Sequence, residues 1–220
     1  MTDLVLPQID AYAAAHSLPE SPVRKALREE TERTMEFARM LVGPLEGAFL
    51  HMMARLVRAQ RVLEIGMFTG YSALCFAEAL PDEGCVVTCE VDEKSAAVAR
   101  RFFAQSPHGR KIEIRMSPAL ETMAGLKGPF DLIFIDADKV NYLNYYRRGM
   151  ELLSPRGVML IDNVLWDGEV LHDPPPDDRT AAIQELNRVV ACDARVTAVL
   201  ATIRDGIWVI TPTPSIHAAL

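Results

Sequence analysis

The sequence predicts an α/β fold: a doubly wound, mostly parallel sheet of seven strands with an antiparallel C-terminal hairpin, preceded by helices. Three observations carry this. From residue 61 onward, short apolar, β-branched runs alternate with longer helical patterns, as parallel strands joined by helical crossovers do. Two of these runs, 131–136 and 157–162, lack strict apolar–polar alternation, as expected of central strands buried on both faces. The last segment, RVTAVLATIRDGIWVIT, instead places two strand-like runs on either side of a short Asp205-Gly206 turn, a hairpin signal.

Taken in order, residues 1–59 carry no strand signal, and helical character falls at about 4–16, 22–41 and 45–59. Pro22 and Gly43-Pro44 punctuate these helices. Strands follow at 61–65 (RVLEI), 85–90 (CVVTCE), 111–115 (KIEIR), 131–136 (DLIFID) and 157–162 (GVMLID). Helices are expected between them at 71–80, 94–105, 118–126 and 141–152, and again at 178–191 before the hairpin. The whole of 1–220 reads as one domain, a helical cap over 1–59 and a sheet core over 60–211. The stretch DGEVLHDPPPDD at 167–178 reads as an exposed acidic loop stiffened by prolines.

Composition narrows the function classes. With 50% hydrophobic and 24% charged residues, 220 residues suffice for one globular core without disulfides or a structural metal. The 23 basic residues are dispersed and outnumbered by 30 acidic ones, a net charge of -7, which argues against nucleic acid as a partner. No apolar stretch approaches a membrane span, and MTDLVLPQIDAY lacks the basic leader of a secretory signal, so no membrane partner and a cytoplasmic location are expected. Cys75, Cys85, Cys89 and Cys192 form no CxxC pair and read as buried apolar side chains. GxSxG and HExxH are absent, which removes the common hydrolase readings.

The residues able to carry chemistry sit at predicted strand ends, where open α/β sheets bind ligands. The first strand runs through Glu64 into Gly66-Met67-Phe68-Thr69-Gly70-Tyr71-Ser72 and a helix. Such a glycine turn cradles a nucleotide or nucleoside, or serves packing alone. Its glycines stand four apart, so it is neither GxGxxG nor a P-loop. Glu90, 24 residues past Gly66, is placed to accept hydrogen bonds from both hydroxyls of a ribose. Asp136, Asp162 and Asn163 end two further strands and together offer hard oxygen ligands that suit Mg²⁺, Ca²⁺ or Mn²⁺ and not zinc or copper. Lys139 belongs to the same rim.

On these residues a resemblance emerges. VLEIGMFTGYSAL, FIDADKVNYLNYY, IDNVLWDGEV and the final DGIWVI resemble the cation-dependent O-methyltransferases, the caffeoyl-CoA and catechol O-methyltransferase family of class I fold. The likeness runs from about residue 24 to 211, and IDADK with DNxLW is its most specific part. It implies S-adenosylmethionine as cofactor, with Glu64, Gly66, Tyr71 and Ser72 along its methionine part, Glu90 at the ribose, Ala119 at the adenine, and Asp136, Asp138 and the Val42 backbone also in contact. It implies Mg²⁺ (or Ca²⁺ or Mn²⁺) held by Asp136, Asp162 and Asn163, with Lys139, Asp136 and Asn163 at the reaction and Trp166 and Asp167 holding the acceptor. In PLEGAFL, Ala48 stands where this family commonly has glutamine.

The expected activity is cation-dependent methyl transfer to a hydroxyl of a small molecule, a catechol-type vicinal diol such as a caffeoyl derivative, or alternatively a polyketide or peptide natural-product intermediate. Lys139 is expected either to take the hydroxyl proton or to hold the oxyanion as an ammonium. A nicotinamide-dependent reductase would need GxGxxG and YxxxK, both absent, whereas a non-catalytic nucleoside-binding protein would not need Asp136, Asp162, Asn163 and Lys139 together. The amphipathic N-terminal helices suggest a dimer surface, and the resemblance agrees in implying a homodimer; a lid over the site is the competing use of the same helices.

Overall fold

A computed structural model describes residues 5–213. After α1 (Pro7–Ala15), α2 (Pro22–Thr34) and α3 (Gly43–Leu56), strands and helices alternate: β1 (Arg61–Ile65), α4 (Tyr71–Ala79), β2 (Cys85–Glu90), α5 (Glu93–Phe103), β3 (Ile112–Met116), α6 (Ala119–Gly125), β4 (Phe130–Ile135), α7 (Tyr142–Leu152), β5 (Leu153–Asp162), α8 (Asp178–Cys192), β6 (Val196–Ala201) and β7 (Ile207–Pro212). The strands form one sheet in the order β3-β2-β1-β4-β5-β7-β6. β1 to β5 pair in parallel, and β7 runs antiparallel to both β5 and β6. The mixed seven-stranded sheet is therefore as predicted.

Helix starts follow local chemistry. Asp92 accepts from the Lys94 and Ser95 N–H groups ahead of α5, Asp177 from Thr180 ahead of α8, and Ser21 from Arg24 at the start of α2. At the far end of α4, Lys111 Nζ donates to the carbonyls of Ala77 and Leu80, occupying acceptors that the helix leaves unpaired. In β4, Leu132 and Phe134 face the layer containing α4 and α5, while Ile133 and Ile135 face α7 and α8, which accounts for the missing polar alternation.

Three predicted boundaries change. The helix expected over 22–41 stops at Thr34, where Met35 turns extended (φ -100°, ψ 134°); a single 3-10 turn at Ala38–Met40 follows, and Leu41 and Val42 enter the core in its place. β5 starts at Leu153 rather than 157, across a register shift opposite Phe130–Leu132, where Pro155 has no N–H to give. The hairpin closes through residues 202–206 rather than through two turn residues, with Arg204 and Gly206 both left-handed (φ 47° and 83°).

The N-terminal helices are bound to α4 by buried polar groups. Arg24 is 1% exposed; its Nε forms an ion pair with Glu78 at 2.9 Å, and its other nitrogens donate to Cys75 Sγ and the Pro19 carbonyl. Thr31 and Thr69, both fully buried, share a hydroxyl hydrogen bond of 2.9 Å. Arg24→Met leaves Glu78 without its charged partner, and is expected to lower stability by about 3 kcal/mol in urea unfolding.

Candidate active site

The carboxyl ends of β1, β2, β4 and β5 open into a cleft of about 1380 Å³, walled on its outer side by residues 35–42 and 166–167. A pocket for one small ligand measures roughly 300–1,000 Å³, so this cleft has room for two molecules side by side.

One half is built on the glycine turn. Gly66 is left-handed (φ 95°), and a Cβ there would fall 1.9 Å from the Asp136 carbonyl; a Cβ at Gly70 would strike the Phe103 ring. Both glycines are thus required by packing, and Gly66 lets the ends of β1 and β4 close together. Glu64 lies fully buried beneath the turn. Its Oε2 accepts from the Thr88 hydroxyl at 2.5 Å, while Oε1 has no partner, and burial pushes the carboxyl up to about 8. Ser72, the second residue of α4, lines the cleft above it. Tyr71 also touches the cleft, but its hydroxyl turns away to donate to Glu20 at 2.9 Å.

Glu90 is fixed at the cleft edge by three backbone donors, Phe68, Val91 and Asp92, at 2.7 to 2.8 Å. A carboxylate has about four acceptor sites, so room remains for one ribose hydroxyl rather than the two expected. Ala119 opens α6 on the facing wall, and Asp138 is held there by the Tyr145 hydroxyl and Asn141. The Val42 carbonyl accepts from Arg204, which leaves it one further lone pair. Ala48 is buried and does not line the cleft.

The other half gathers Asp136, Lys139, Asp162, Asn163, Trp166 and Asp167. Lys139 Nζ donates to Asp136 Oδ1 (3.0 Å), to Asn163 Oδ1 (2.7 Å) and to the Tyr142 hydroxyl, so every donor of an ammonium is used. Asp162 is 1% exposed, and its Oδ1 accepts the Asn163 N–H at 2.7 Å. Burial first, and then the neighbouring Asp136 charge, push its carboxyl up to about 7. Trp166 and Asp167 have left-handed backbones (φ 50° and 54°), and the Asp167 N–H donates to Asp205 Oδ1 at 2.7 Å.

The donor chemistry fits both implied groups. Among the described residues no three His, Cys, Asp or Glu side chains assemble as a metal cluster. The candidate set is instead two carboxylates and an amide, all oxygen donors, suited to a hard divalent cation. The Lys139 ammonium between Asp136 and Asn163 shows that two of these oxygens converge on positive charge. The unpartnered Glu64 oxygen beside the glycine turn suits an ammonium such as that of an amino-acid cofactor.

Four side chains at this site were not assigned a role from the sequence: Tyr142, Glu46, Arg204 and Asp205. Tyr142 lies in NYLNYY, where an aromatic run reads equally as core, Asp205 was read only as a turn residue, and Glu46 and Arg204 meet only through the tertiary fold.

Comparison with known proteins places this geometry. The profile of the O-methyltransferase family matches residues 14–212. The mouse catechol O-methyltransferase domain-containing protein 1 is 39% identical over 201 residues, covering 89% of this chain and 76% of that protein. Caffeoyl-CoA O-methyltransferase 1 of Eucalyptus globulus is 36% identical, covering 83% and 78%. Among solved structures, the O-methyltransferase TomG of Streptomyces achromogenes, involved in tomaymycin synthesis and in complex with S-adenosylmethionine, superposes with a TM-score of 0.87 at 28% identity over 94% of this chain and 96% of that one. The S-adenosylhomocysteine-bound methyltransferase PaMTH1 of Podospora anserina gives 0.86 at 28% identity over 95% and 98%. The family profile spans nearly the whole sequence and the fold is shared with solved O-methyltransferases: the chain belongs to the O-methyltransferase family.

Proposed function

We propose that this enzyme transfers the methyl group of S-adenosylmethionine to one hydroxyl of a small vicinal diol, a catechol-type ring such as a caffeoyl derivative, and that it does so with a divalent cation, Mg²⁺ in the first instance. The observation that carries the reading is the convergence of Asp136 Oδ1 and Asn163 Oδ1 on one cationic group, beside buried Asp162 and at the far end of the cleft from Glu90.

The residues divide the work by position. Glu64 and Ser72 receive the methionine part of the donor, Glu90 a ribose hydroxyl, and Ala119 and Asp138 flank the base. Aligning donor and acceptor in this way contributes on the order of 7 to 11 kcal/mol to a two-reactant displacement. The methyl comes from a sulfonium whose sulfur leaves as a neutral thioether, so the remaining task is an ionised oxygen nucleophile, whose proton passes to solvent. A divalent cation held by Asp136, Asp162 and Asn163 supplies a lowered pKa for a chelated hydroxyl and a fixed orientation of the diol. Lys139 acts as an ammonium that holds the oxyanion rather than as the base that removes its proton, since a cation taking the Asp136 and Asn163 oxygens would release the N–H donors now spent on them. Trp166 and Asp167 wall the acceptor. Exposed Ile9 and Tyr12 of α1, with Leu6 just ahead of it, are the surface on which a homodimer is proposed.

The test is incubation with S-adenosylmethionine and a panel of catechols and caffeoyl compounds, with Mg²⁺ or EDTA, read by mass spectrometry for one added methyl group. Transfer that EDTA abolishes and Mg²⁺ restores is expected; transfer indifferent to EDTA overturns the cation. Cofactor binding by calorimetry without transfer to any diol would favour a natural-product acceptor, a reading in keeping with TomG's part in tomaymycin synthesis, or a non-catalytic nucleoside-binding role.

A further inference from the structure

Both walls of the acceptor end hang on two adjacent residues of the β6–β7 loop. Asp205 holds one wall: its carbonyl accepts the Leu165 N–H at 2.9 Å, its Oδ1 accepts the Asp167 N–H at 2.7 Å, and the next carbonyl, Gly206, accepts the Val164 N–H. A Cβ at Gly206 would lie 2.5 Å from Leu165 Cγ, so loop and wall are in tight contact. Arg204 holds the other wall. Its Nη1 donates to the Val42 carbonyl, at the end of the 35–42 segment, and to Glu46 Oε2 at 2.7 Å on α3. Apart from that bond, the backbone hydrogen bonds of residues 35–42 are local: Met35 to Thr31, Met40 to Phe37 and Leu41 to Ala38.

Two further features make this more than a surface contact. Glu46 is fully buried, and its Oε1 has no partner, so the ion pair with Arg204 is the described polar anchor of that carboxylate. Arg204 also has a left-handed backbone (φ 47°), uncommon for a long side chain and easiest for Gly, Asn or Asp. An arginine kept in that conformation, with its guanidinium bridging two elements at a ligand cleft, fits a site where backbone strain serves a function.

We infer that Arg204 is a positioning residue: together with Asp205 it brackets the cap segment 35–42 against the 163–167 segment, and so sets the width of the cleft that receives the acceptor. This deepens the methyl-transfer reading by naming what shapes its acceptor end, but the bracket itself is a statement about residues 35–42 that stands without turnover.

The experiment compares Arg204→Met/Glu46→Gln with the parent chain. The paired change avoids leaving a buried carboxylate without its cation, and Arg204→Lys provides a second variant should that protein fail to fold. Amide hydrogen exchange of residues 35–42 is expected to accelerate by on the order of tenfold or more while β1, β4 and β5 keep their protection. With an active acceptor, its KM is expected to rise by on the order of tenfold to a hundredfold, with kcat changed far less. Arg204→Lys should fall between the two. Unchanged exchange at 35–42 overturns the bracket, and so does faster exchange spread evenly over the sheet, which would make the pair a general stabiliser. If no acceptor is ever methylated, the proposed reaction fails, and the exchange measurement still decides the bracket.

Discussion

Asp162→Asn is expected to reduce turnover by on the order of a thousandfold while leaving S-adenosylmethionine binding within a few-fold of the parent, the scale of loss when a pre-organised charge is removed from a reacting centre. Asparagine keeps the size and one oxygen acceptor, so the Asn163 N–H that now bonds Asp162 Oδ1 retains a partner and the left-handed turn at Asn163 (φ 59°) is preserved. What is lost is one of two negative charges facing the acceptor end. Cofactor binding survives because Glu64, Glu90 and Ala119 lie on β1, β2 and α6, away from the end of β5. The variant should also fold at least as well as the parent above pH 7, since the carboxyl it removes is disfavoured in its ionised form by burial and by Asp136. Calorimetry for the cofactor and turnover under titrated Mg²⁺ separate the two effects; full activity in the variant would sink the assignment of Asp162 as a metal ligand.

The second large effect is on stability. In the folded protein the Glu64 carboxyl rises from the ordinary 4.5 to about 8, because burial penalises its charged form. The folded state therefore holds this proton more tightly than the unfolded chain. Its contribution is fully present below about pH 4.5 and is lost as pH climbs towards 8. The full span corresponds to roughly 5 kcal/mol, and Asp162 adds a loss in the same direction up to about pH 7. Urea unfolding of the cofactor-free protein should thus show stability falling between pH 5 and pH 8, and Glu64→Gln should flatten much of that fall. An identical slope in the variant would mean that Glu64 is ionised in the folded state across this range.

The parts of the molecule legible in the sequence were those written in local patterns. Unalternating apolar runs marked the central strands, and the carboxylates following β4 and ending β5 needed only the strand boundary to be placed together. The break in the second helix was not legible, because residues 35–42 contain no proline or glycine. Its cause is tertiary: the backbone turns extended at Met35 and again at Leu41, and Leu41 and Val42 are thereby buried in the core. Glu46 and Arg204 were invisible for a similar reason, being 158 residues apart in the chain. The glycine turn was legible as a motif but not in its cause, since only the assembled sheet shows that Gly66 is forced by the Asp136 carbonyl. Glu90 was rightly placed at a strand end, yet no pattern indicated that three backbone donors already hold it.

The hydroxyl pair Thr31–Thr69 has a bearing on how this chain can be divided. Together with the Tyr71–Glu20 bond, it ties α2 and the residues before it to the glycine turn and the start of α4, where the methyl donor is proposed to bind. A shortened chain beginning after α2 would keep all seven strands and every strand-end acid, and yet expose the buried Thr69 hydroxyl and free the start of α4. The sheet is not a self-sufficient module to which a lid was added. Transplanting it onto another N-terminal segment, or trimming it to a minimal catalytic unit, would disturb the donor end of the cleft first, before any residue at the acceptor end was touched.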